Sequence, residues 1–203
     1  MYAITMAINN YNSLFCSKDD IEQIAYYAEH EILNILVGKT DTYAVSRRGI
    51  LFQDHSVVPP KIIPYPNNDF LNGYTLFIMG SYPSSYKEVG LIIRQKYASG
   101  DKGFKDYKEK VNDALPRLWN YILDENMPGI SRSINDLYAS IKDDLNIHNP
   151  DYDLLRVIAC DNGAIAAKNI GLRMRGGSVY AIVPDDVSYE FQERLNKKVN
   201  FIN

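Results

Sequence analysis

Four of the eight residues from Pro59 to Pro66 are prolines, and this cluster places the firmest limit on the fold. Proline has no backbone N–H to donate and has a fixed φ, so it is excluded from the middle of a sheet. The segment HSVVPPKIIPYPNND is therefore predicted to be a loop or an edge strand. A central sheet must be built from apolar segments elsewhere in the chain.

Those other segments predict an alternation of strands and helices. Residues 2–8 alternate loosely and suit an opening strand, and Ser17 followed by Asp19 and Asp20 is typical of a helix start. Residues 42–53 are predicted to form two short strands. The remaining predicted strands are 73–82 and 86–95, paired as a hairpin, 154–160 and 178–183; the remaining predicted helices are 104–125, 131–147, 164–168 and 186–199.

This order of elements predicts an α/β (α+β) protein with a mixed, mostly antiparallel central sheet flanked by helices. The chain has 203 residues, of which 46% are hydrophobic, which is enough for one substantial core. We therefore expect a single domain over residues 1–203. The helical element at about 131–147 and the C-terminal helix at about 186–199 are additions to that domain.

Composition and charge exclude several classes of protein. The net charge is −3 and the pI is about 5.6, so no overall signature of nucleic-acid binding is present. No apolar run approaches the roughly 20 residues that span a bilayer, and the N-terminus lacks the features of a signal peptide. A cytoplasmic location is expected, or a virion if the protein is viral, with no membrane partner.

The cysteines and histidines give no sign of a metal site. Cys16 and Cys160 lie in neither a CxxC nor a CxxH sequence, so neither zinc nor a disulfide framework is predicted. His30, His55 and His148 are scattered without the spacing of metal ligands.

The segment that carries the most chemistry is EVGLIIRQKYASGDKGFKDYKEK, residues 88–110. It is predicted to run from an apolar strand through a glycine-bearing loop into a helix, an order that aims backbone N–H groups at one point. Six basic residues against three acidic ones between Arg94 and Lys110 give a local excess of positive charge. Phosphate is the natural ligand of such a loop, although the motif is not a P-loop, and a plain turn followed by a solvated helix is the alternative.

Together with a second segment, VIACDNGAIAAKNIGL, this pattern resembles the GCN5-related N-acetyltransferase superfamily (GNAT). The resemblance implies an acyl-CoA N-acyltransferase-like fold, with acetyl-CoA held between two splayed parallel strands at 89–94 and 154–160. Backbone groups of Ile92, Ile93 and Arg94 would pair with the pantetheine arm, amides of Ser99, Gly100, Lys102, Gly103 and Phe104 would hold the pyrophosphate, and Asn162 would face the same arm. Glu88 is the candidate general base.

Two readings of function follow from this resemblance. The first is an acyl-CoA-dependent N-acyltransferase that transfers an acetyl group to an amine of an unknown acceptor. The second is a catalytically inactive copy of the fold, because Ala167 stands where many family members carry a tyrosine acid. Such a copy would be a structural or partner-binding protein, for example a phage particle component in a homo-oligomer or larger assembly. An unrelated α/β fold is a third interpretation, so enzymatic activity stays open at this point.

Overall fold

The computed structural model describes residues 1–33, 39–47, 49–66, 69–81, 87–171 and 177–199. The chain forms two compact units, Met1–Asn68 and Asp69–Asn203. The expectation of one domain over the whole chain stays a prediction. Within the described ranges, no helix combines the length and the apolar character needed to cross a bilayer.

The first unit consists of three helices and a two-stranded antiparallel sheet. The helices are α1 (Tyr2–Tyr11), α2 (Lys18–Tyr27), which continues into a π-helical turn (Ala28–Ile32), and α3 (Thr40–Arg47); the strands are β1 (Leu51–Asp54) and β2 (Lys61–Pro64). Strand β2 lies inside the proline cluster and pairs on one side only, so the prediction of a loop or an edge strand is confirmed.

Local capping fixes the start of α2. The Ser17 side chain accepts a hydrogen bond from the Asp20 N–H, and the Asp20 carboxylate accepts one from the Ser17 N–H. This reciprocal pair satisfies two of the N–H groups that a helix start otherwise leaves unbonded. The predicted helix start at Ser17 is confirmed.

Two strand predictions in the first unit are wrong. Residues 2–8 belong to helix α1, where Tyr2 is buried against Ile21 and Ala25 of α2. The segment from residue 42 begins as helix α3, and only β1 of the two expected short strands is formed. Both segments are short and apolar, and such runs fit a strand or a helix until tertiary contacts decide between them.

The second unit is a three-stranded antiparallel sheet with helices packed on it. After a short 3₁₀ turn (Asp69–Leu71) the elements are β3 (Tyr74–Ser81), α4 (Lys87–Ser99), α5 (Lys102–Leu123), α6 (Met127–Asp143), α7 (Pro150–Asp161), β4 (Ala166–Ile170), β5 (Gly177–Pro184) and α8 (Asp185–Val199). The strand order is β3-β5-β4, with every neighbouring pair antiparallel. The coarse prediction of a mixed α+β protein with an antiparallel sheet and flanking helices is confirmed.

The two faces of this sheet pack against different helices. On one face Val179, Ala181 and Val183 of β5 pack with residues of α7 and with Phe191 of α8. On the other face Ile182 and Ala166 pack with Ile130 and Ile134 of α6. Alternating residues of β5 therefore enter two separate clusters, as the two-residue period of a strand requires.

Strands β3 and β5 and helices α5, α6 and α8 were expected from the sequence, whereas three neighbouring predictions are wrong. The apolar run 86–95, predicted to be a strand, is helical from Lys87 onwards, and residues 82–86 lie outside the described residues. The predicted strand 154–160 is part of helix α7, and the predicted helix 164–168 overlaps strand β4.

The start of α7 explains the second of these errors. The Asn149 side chain accepts hydrogen bonds from the backbone N–H groups of Asp151 and Tyr152, and Pro150 occupies the first helical turn. Both features favour a helix start. Because 89–94 and 154–160 are both helical, the pair of splayed parallel strands does not exist.

Candidate functional site

Five of the residues predicted to form a site lie on helix α4. These are Glu88, Ile92, Ile93, Arg94 and Ser99; Glu88 is the second residue of the helix rather than the start of a strand. Ile93 packs with the fully buried Val89 against Ile141 and Leu145 at the end of α6. The backbone N–H and C=O groups of a helix are largely bonded within it, so this segment lacks the free ladder that a pantetheine arm would need.

The predicted pyrophosphate loop is the turn between α4 and α5, and a carboxylate already occupies its helix start. Gly100 adopts a positive φ of 66°, and the next residue, Asp101, accepts a hydrogen bond of 2.8 Å from the Phe104 N–H. The Asp101 carboxylate also lies 3.3 Å from Lys96 Nζ. The Phe104 hydrogen bond, assisted by Lys96, holds the pKa of Asp101 below its usual range. An anion would have to compete with this negative charge.

The other residues of this turn serve the packing of α4 and α5. A Cβ atom added at Gly103 would clash with the backbone carbonyl of Asp144, so the glycine permits close approach to the end of α6. Phe104 packs edge-on against Tyr97 with a centroid distance of 5.8 Å. The Ser99 hydroxyl donates to the Lys96 carbonyl, and Lys102 is exposed.

Asn162, expected at the end of a strand, instead follows the end of a helix. It is the C-terminal cap residue of α7, buried, and its side-chain amide donates a hydrogen bond of 2.6 Å to the Ile158 carbonyl. The amide therefore satisfies the last turn of its own helix. The predicted site residues thus lie along α4, at the α4–α5 turn and at the end of α7. That any of them binds a ligand stays a prediction.

A different set of residues gathers where the three strands of the second unit end. In the strand register Gly80 of β3 lies opposite Ser178 of β5, and Ile170 of β4 lies opposite Ser178 on its other side. Gly171 and Gly177, with positive φ of 70° and 102°, bound the β4–β5 connection, whose residues 172–176 lie outside the described residues. We call this group of residues, Gly80, Ile170, Gly171, Gly177 and Ser178, the glycine edge.

Close packing at the glycine edge excludes a side chain at Gly80. A Cβ atom there would lie 2.5 Å from the Gly177 carbonyl oxygen and 2.6 Å from Ser178 Oγ. The space beside Gly80 is therefore filled by the backbone of β5 and by the Ser178 hydroxyl. Gly171 and Gly177 carry no side chain, and bare backbone of that kind allows an oxyanion to approach peptide N–H groups closely.

Asn169 supports the glycine edge from within the core. Its side chain is 2% exposed, and its amide donates to the Gly171 carbonyl. Its Oδ1 atom makes no hydrogen bond in the described structure. A buried acceptor without a donor is unusual, and sites of this kind often belong to functional regions.

On the other face of β4, Lys168 lies directly opposite Tyr180 of β5. Burial lowers the pKa of the Lys168 ammonium, and it raises the pKa of Tyr180 to about 12. Both shifts favour the neutral forms of the two side chains, as burial without a compensating charge does. This pair lies two register positions away from Gly80, Ser178 and Ile170.

A network of polar side chains joins α6 and α7 and reaches the outer edge of β4. Asp153 accepts hydrogen bonds of 2.9 Å from Tyr138 and 2.8 Å from Lys142. Arg156 donates from Nε to the Ala167 carbonyl at 2.7 Å. The polar groups of this network are hydrogen-bonded to one another. These contacts therefore hold β4 in place beside the two helices.

An open groove of about 170 Å³ runs along α5 and α6 and includes Lys110, Asp113, Arg117 and Asp136 in its wall. Its bases are paired: Arg117 with Asp113, and Lys110 with Asp144 at 2.8 Å. Among the described residues no three His, Cys, Asp or Glu side chains come together as a metal site would require. The glycine edge, with Lys168 beside it, is therefore the better candidate for a ligand site.

The sequence contained a sign of the glycine edge. Residues 171–177 read GLRMRGG, a connection rich in glycine and arginine. The site was missed because the segment before it was predicted to be a helix, which hides the hairpin formed by β4 and β5. Only the pairing of β3 with β5 brings Gly80, about a hundred residues earlier, to the same edge.

Comparisons with known proteins identify the fold. The structure matches Lactococcus lactis galactokinase, solved with galactose, with a TM-score of 0.77 at 15% identity over 97% of this chain and 59% of that chain. It matches L. major mevalonate kinase, solved with R-mevalonate, with a TM-score of 0.76 at 14% identity over the same shares. A D-glycero-D-manno-heptose 1-phosphate kinase from Bacteroides thetaiotaomicron gives 0.62 and 16%, over 94% of this chain and 53% of that chain.

No protein-family model and no curated protein sequence matches the chain. The chain spans 59% of the galactokinase and mevalonate kinase chains. Identities of this size show the fold alone, which is similar to that of the galactokinase and the mevalonate kinase.

This finding overturns the acetyltransferase interpretation. The resemblance to the N-acetyltransferase superfamily is wrong, and with it the predicted N-acyltransferase activity and the predicted acetyl-CoA cofactor. The alternative of an inactive acyltransferase-like fold fails for the same reason. The cause is that helix and strand were interchanged in the predictions for 86–95, 154–160 and 164–168. Those three predictions together gave an order of elements that the folded chain does not have.

Proposed function

We propose that this chain binds ATP and transfers its terminal phosphoryl group to a hydroxyl of a small polar molecule, such as a sugar or a hydroxy acid. The observation that carries the proposal is the agreement of fold with galactokinase over 97% of the chain, at a TM-score of 0.77. The mevalonate kinase match, almost equal in quality, supports the same class of reaction. The two bound molecules in those structures, galactose and R-mevalonate, both carry hydroxyl groups.

Because one fold hosts many activities, the proposal also needs a site with suitable chemistry. Phosphoryl transfer depends on positioning and on neutralising the charge of the phosphate oxygens more than on covalent chemistry by the protein. The glycine edge offers bare backbone at Gly171 and Gly177 and a hydroxyl at Ser178. We propose that a phosphate group of ATP or of the acceptor lies there.

The proposed reaction is a single displacement. The acceptor oxygen forms a bond to the γ-phosphorus of ATP, the bond from that phosphorus to the bridging oxygen breaks, and ADP leaves with the electron pair. The acceptor's hydroxyl proton passes to solvent. No described carboxylate is assigned as its carrier.

The test begins with binding. Isothermal titration of the chain with ATP and magnesium should show saturable binding, and ³¹P NMR should then show ADP and a new phosphate ester when galactose, mevalonate or the heptose 1-phosphate is added. The absence of ATP binding at millimolar concentration would overturn the proposal. ATP binding without ester formation from any of these acceptors would overturn the transfer step for these substrates.

Two serine variants locate the site. Ser178→Glu places a negative charge at the glycine edge and should weaken ATP binding about tenfold or more, because like charges repel. Ser99→Glu places the same charge at the exposed end of α4, beside the turn first predicted from the sequence, and should leave binding unchanged. If Ser99→Glu weakens binding and Ser178→Glu does not, the phosphate lies at the α4–α5 turn instead.

A further inference from the structure

Helix α1 exposes a stripe of large apolar side chains on the surface of the first unit. Ile4, Ile8 and Tyr11 follow one another at spacings of four and three residues, which places them on one face of the helix. All three are exposed, and so are Leu14 and Phe15 in the turn that follows. Tyr11 is 90% exposed and Phe15 is 92% exposed. We call these five residues the apolar stripe.

The composition of α1 is that of a helix with a core around it. Its sequence, YAITMAINNY, has no charged residue, and its first seven residues are apolar or aromatic except Thr5. The structure describes all ten residues of α1, and of these Tyr2 alone is buried. A helix that is apolar on all sides normally lies inside a protein. The exposed side of α8 shows the contrast, because it carries the ion pair of Glu190 with Arg194.

Hydrogen bonds hold the turn after α1 in a fixed shape. The Leu14 N–H donates to the Asn9 carbonyl at 3.1 Å, and the Cys16 N–H donates to Asn9 Oδ1 at 3.0 Å. Between these two bonds Phe15 adopts a φ of 56°, a conformation that is costly for a large side chain. An ordered turn therefore presents the exposed aromatic ring, and an ordered surface loses less entropy when a partner binds.

The area of the apolar stripe is sufficient for a stable protein interface. A buried aromatic side chain contributes about 150–250 Å² of contact surface, so Tyr11 and Phe15 supply on the order of 400 Å². With its three half-exposed aliphatic residues the stripe offers roughly 600 Å². Two such stripes facing each other would bury about 1,200 Å² in total, which is the lower limit of specific, stable interfaces.

The absence of charge decides which partner fits the apolar stripe. Helices that lie on membrane surfaces carry Lys and Arg on their polar side, whereas α1 carries neither. A partner selected by its charge would find no complementary group on this helix. A second copy of the chain presents the same uncharged surface, and homodimer interfaces are more apolar than those of other complexes.

We propose that the apolar stripe is the interface of a two-fold symmetric dimer, in which α1 packs antiparallel against α1 of a second copy of this chain. A two-fold axis brings the same surface of both copies together. Ile8 then lies near the axis, and Tyr11 of each copy meets Ile4 of the other, so that a large side chain faces a smaller one. This inference goes beyond the proposed function and does not rest on it.

The first test measures the mass of the unmodified chain in solution. Analytical ultracentrifugation from about 1 to 100 µM covers the range in which an interface of this small area associates. The chain should sediment as a dimer at the upper end of this range and dissociate on dilution. A chain that stays monomeric throughout would overturn the proposal, and the apolar stripe would then belong to a different protein partner.

Two matched variants locate the interface. Ile8 on α1 and Leu91 on α4 are 53% and 56% exposed, so both Ile8→Glu and Leu91→Glu should fold, which circular dichroism checks. Ile8→Glu places a carboxylate in the interface twice, once from each copy, and should weaken dimerisation about a hundredfold or more. Leu91→Glu should leave dimerisation unchanged. A dimer that survives Ile8→Glu, or that is weakened equally by Leu91→Glu, has its interface elsewhere, and the proposal fails.

A second measurement uses a change that keeps the surface uncharged. Because Ile8 lies near the proposed axis, Ile8→Cys should form a disulfide between two copies in oxidised glutathione, with the exposed Cys160 replaced by Ser to remove the background. Leu91→Cys in the same background should stay reduced or react with glutathione alone. If Ile8→Cys forms no such disulfide at a concentration where the chain is dimeric, the antiparallel packing of α1 on α1 is wrong.

Discussion

The guanidinium carbon of Arg156 lies 3.8 Å from the centre of the Tyr138 ring, so that helix α7 stacks a cation on an aromatic side chain of α6. The same guanidinium donates to the Ala167 carbonyl of β4 at 2.7 Å and to Asn135 Oδ1 at 3.1 Å. One side chain thus joins two helices to the strand that carries Lys168 and leads to the glycine edge. A lysine could not stack a planar cation on the Tyr138 ring and also donate hydrogen bonds from several nitrogen atoms.

We expect Arg156→Lys to lower the free energy of unfolding by about 1–3 kcal/mol, because Ala167 O and Asn135 both lose their donor. Chemical denaturation measures this change. Arg132→Lys is the matched control, since Arg132 is exposed on α6 and should change stability by less than about 0.5 kcal/mol. Equal stability of the two variants would contradict the joining role of Arg156.

Asp153 should make stability depend on pH in the acid range. Burial alone would raise the pKa of Asp153, but hydrogen bonds from Lys142 and Tyr138 outweigh burial and hold this pKa below its ordinary value of 3.8. The unfolded chain therefore binds the proton more readily, so the contribution of Asp153 is complete above pH 3.8 and is lost as pH falls through the folded pKa.

The corresponding variant is Asp153→Asn. At neutral pH it should be less stable than the original protein by about 1 kcal/mol or less, because the pair is partly exposed. The difference should shrink as pH falls below 3.8. Asp161→Asn, an exposed change on the same helix, should show neither effect. Urea titrations across the acid range measure the free energy of unfolding of each variant. A pH-independent loss in Asp153→Asn would point to packing alone.

Much of the fold could be predicted where the signal is local. The capping sequence at Ser17, the strand at 74–81 between turn residues and the C-terminal helix after Asp185 are each determined by their own residues. The failures are apolar runs of seven to ten residues, at 2–8, 86–95 and 154–160, which fit a strand or a helix equally well. For 154–160 the cap at Asn149 and Pro150 was the neglected signal.

The candidate site could not be predicted in the same way. Gly80, Ser178 and Ile170 meet only through the register of β3, β5 and β4, which joins residues about a hundred positions apart. The missing charge partner of Lys168 is likewise a property of the folded sheet. By contrast, the glycines at 100 and 103 were visible, but the folded chain uses them for a turn and for helix packing.

Gly103 and Gly100 should therefore respond differently to substitution. Gly103→Ala would press a methyl group against the Asp144 carbonyl, and we expect a loss of about 1–3 kcal/mol. Gly100→Asn should cost far less, because a Cβ atom there makes only ordinary contacts with the Lys105 side chain and asparagine tolerates the positive φ of 66°. Thermal unfolding of both variants measures the difference. Similar losses would contradict the packing role of Gly103.

Lys168→Met should stabilise the unliganded protein, since it removes an unpaired amine from an apolar surrounding; we expect about 1 kcal/mol at neutral pH. The lowered pKa of Lys168 means that the unfolded chain binds more protons between the folded pKa and the ordinary value of 10.5. The stability of the original protein should therefore rise with pH across that window, and the advantage of the variant should shrink. Tyr180, whose pKa is raised to about 12, loses its contribution only at more alkaline pH and is present in both proteins.

Urea titrations from neutral pH to about 10, with Lys108→Met, at an exposed position of α5, as control, test this expected pH dependence of stability. A variant that is less stable at neutral pH, by an amount that does not change with pH, would show that the Lys168 ammonium has a partner within the protein.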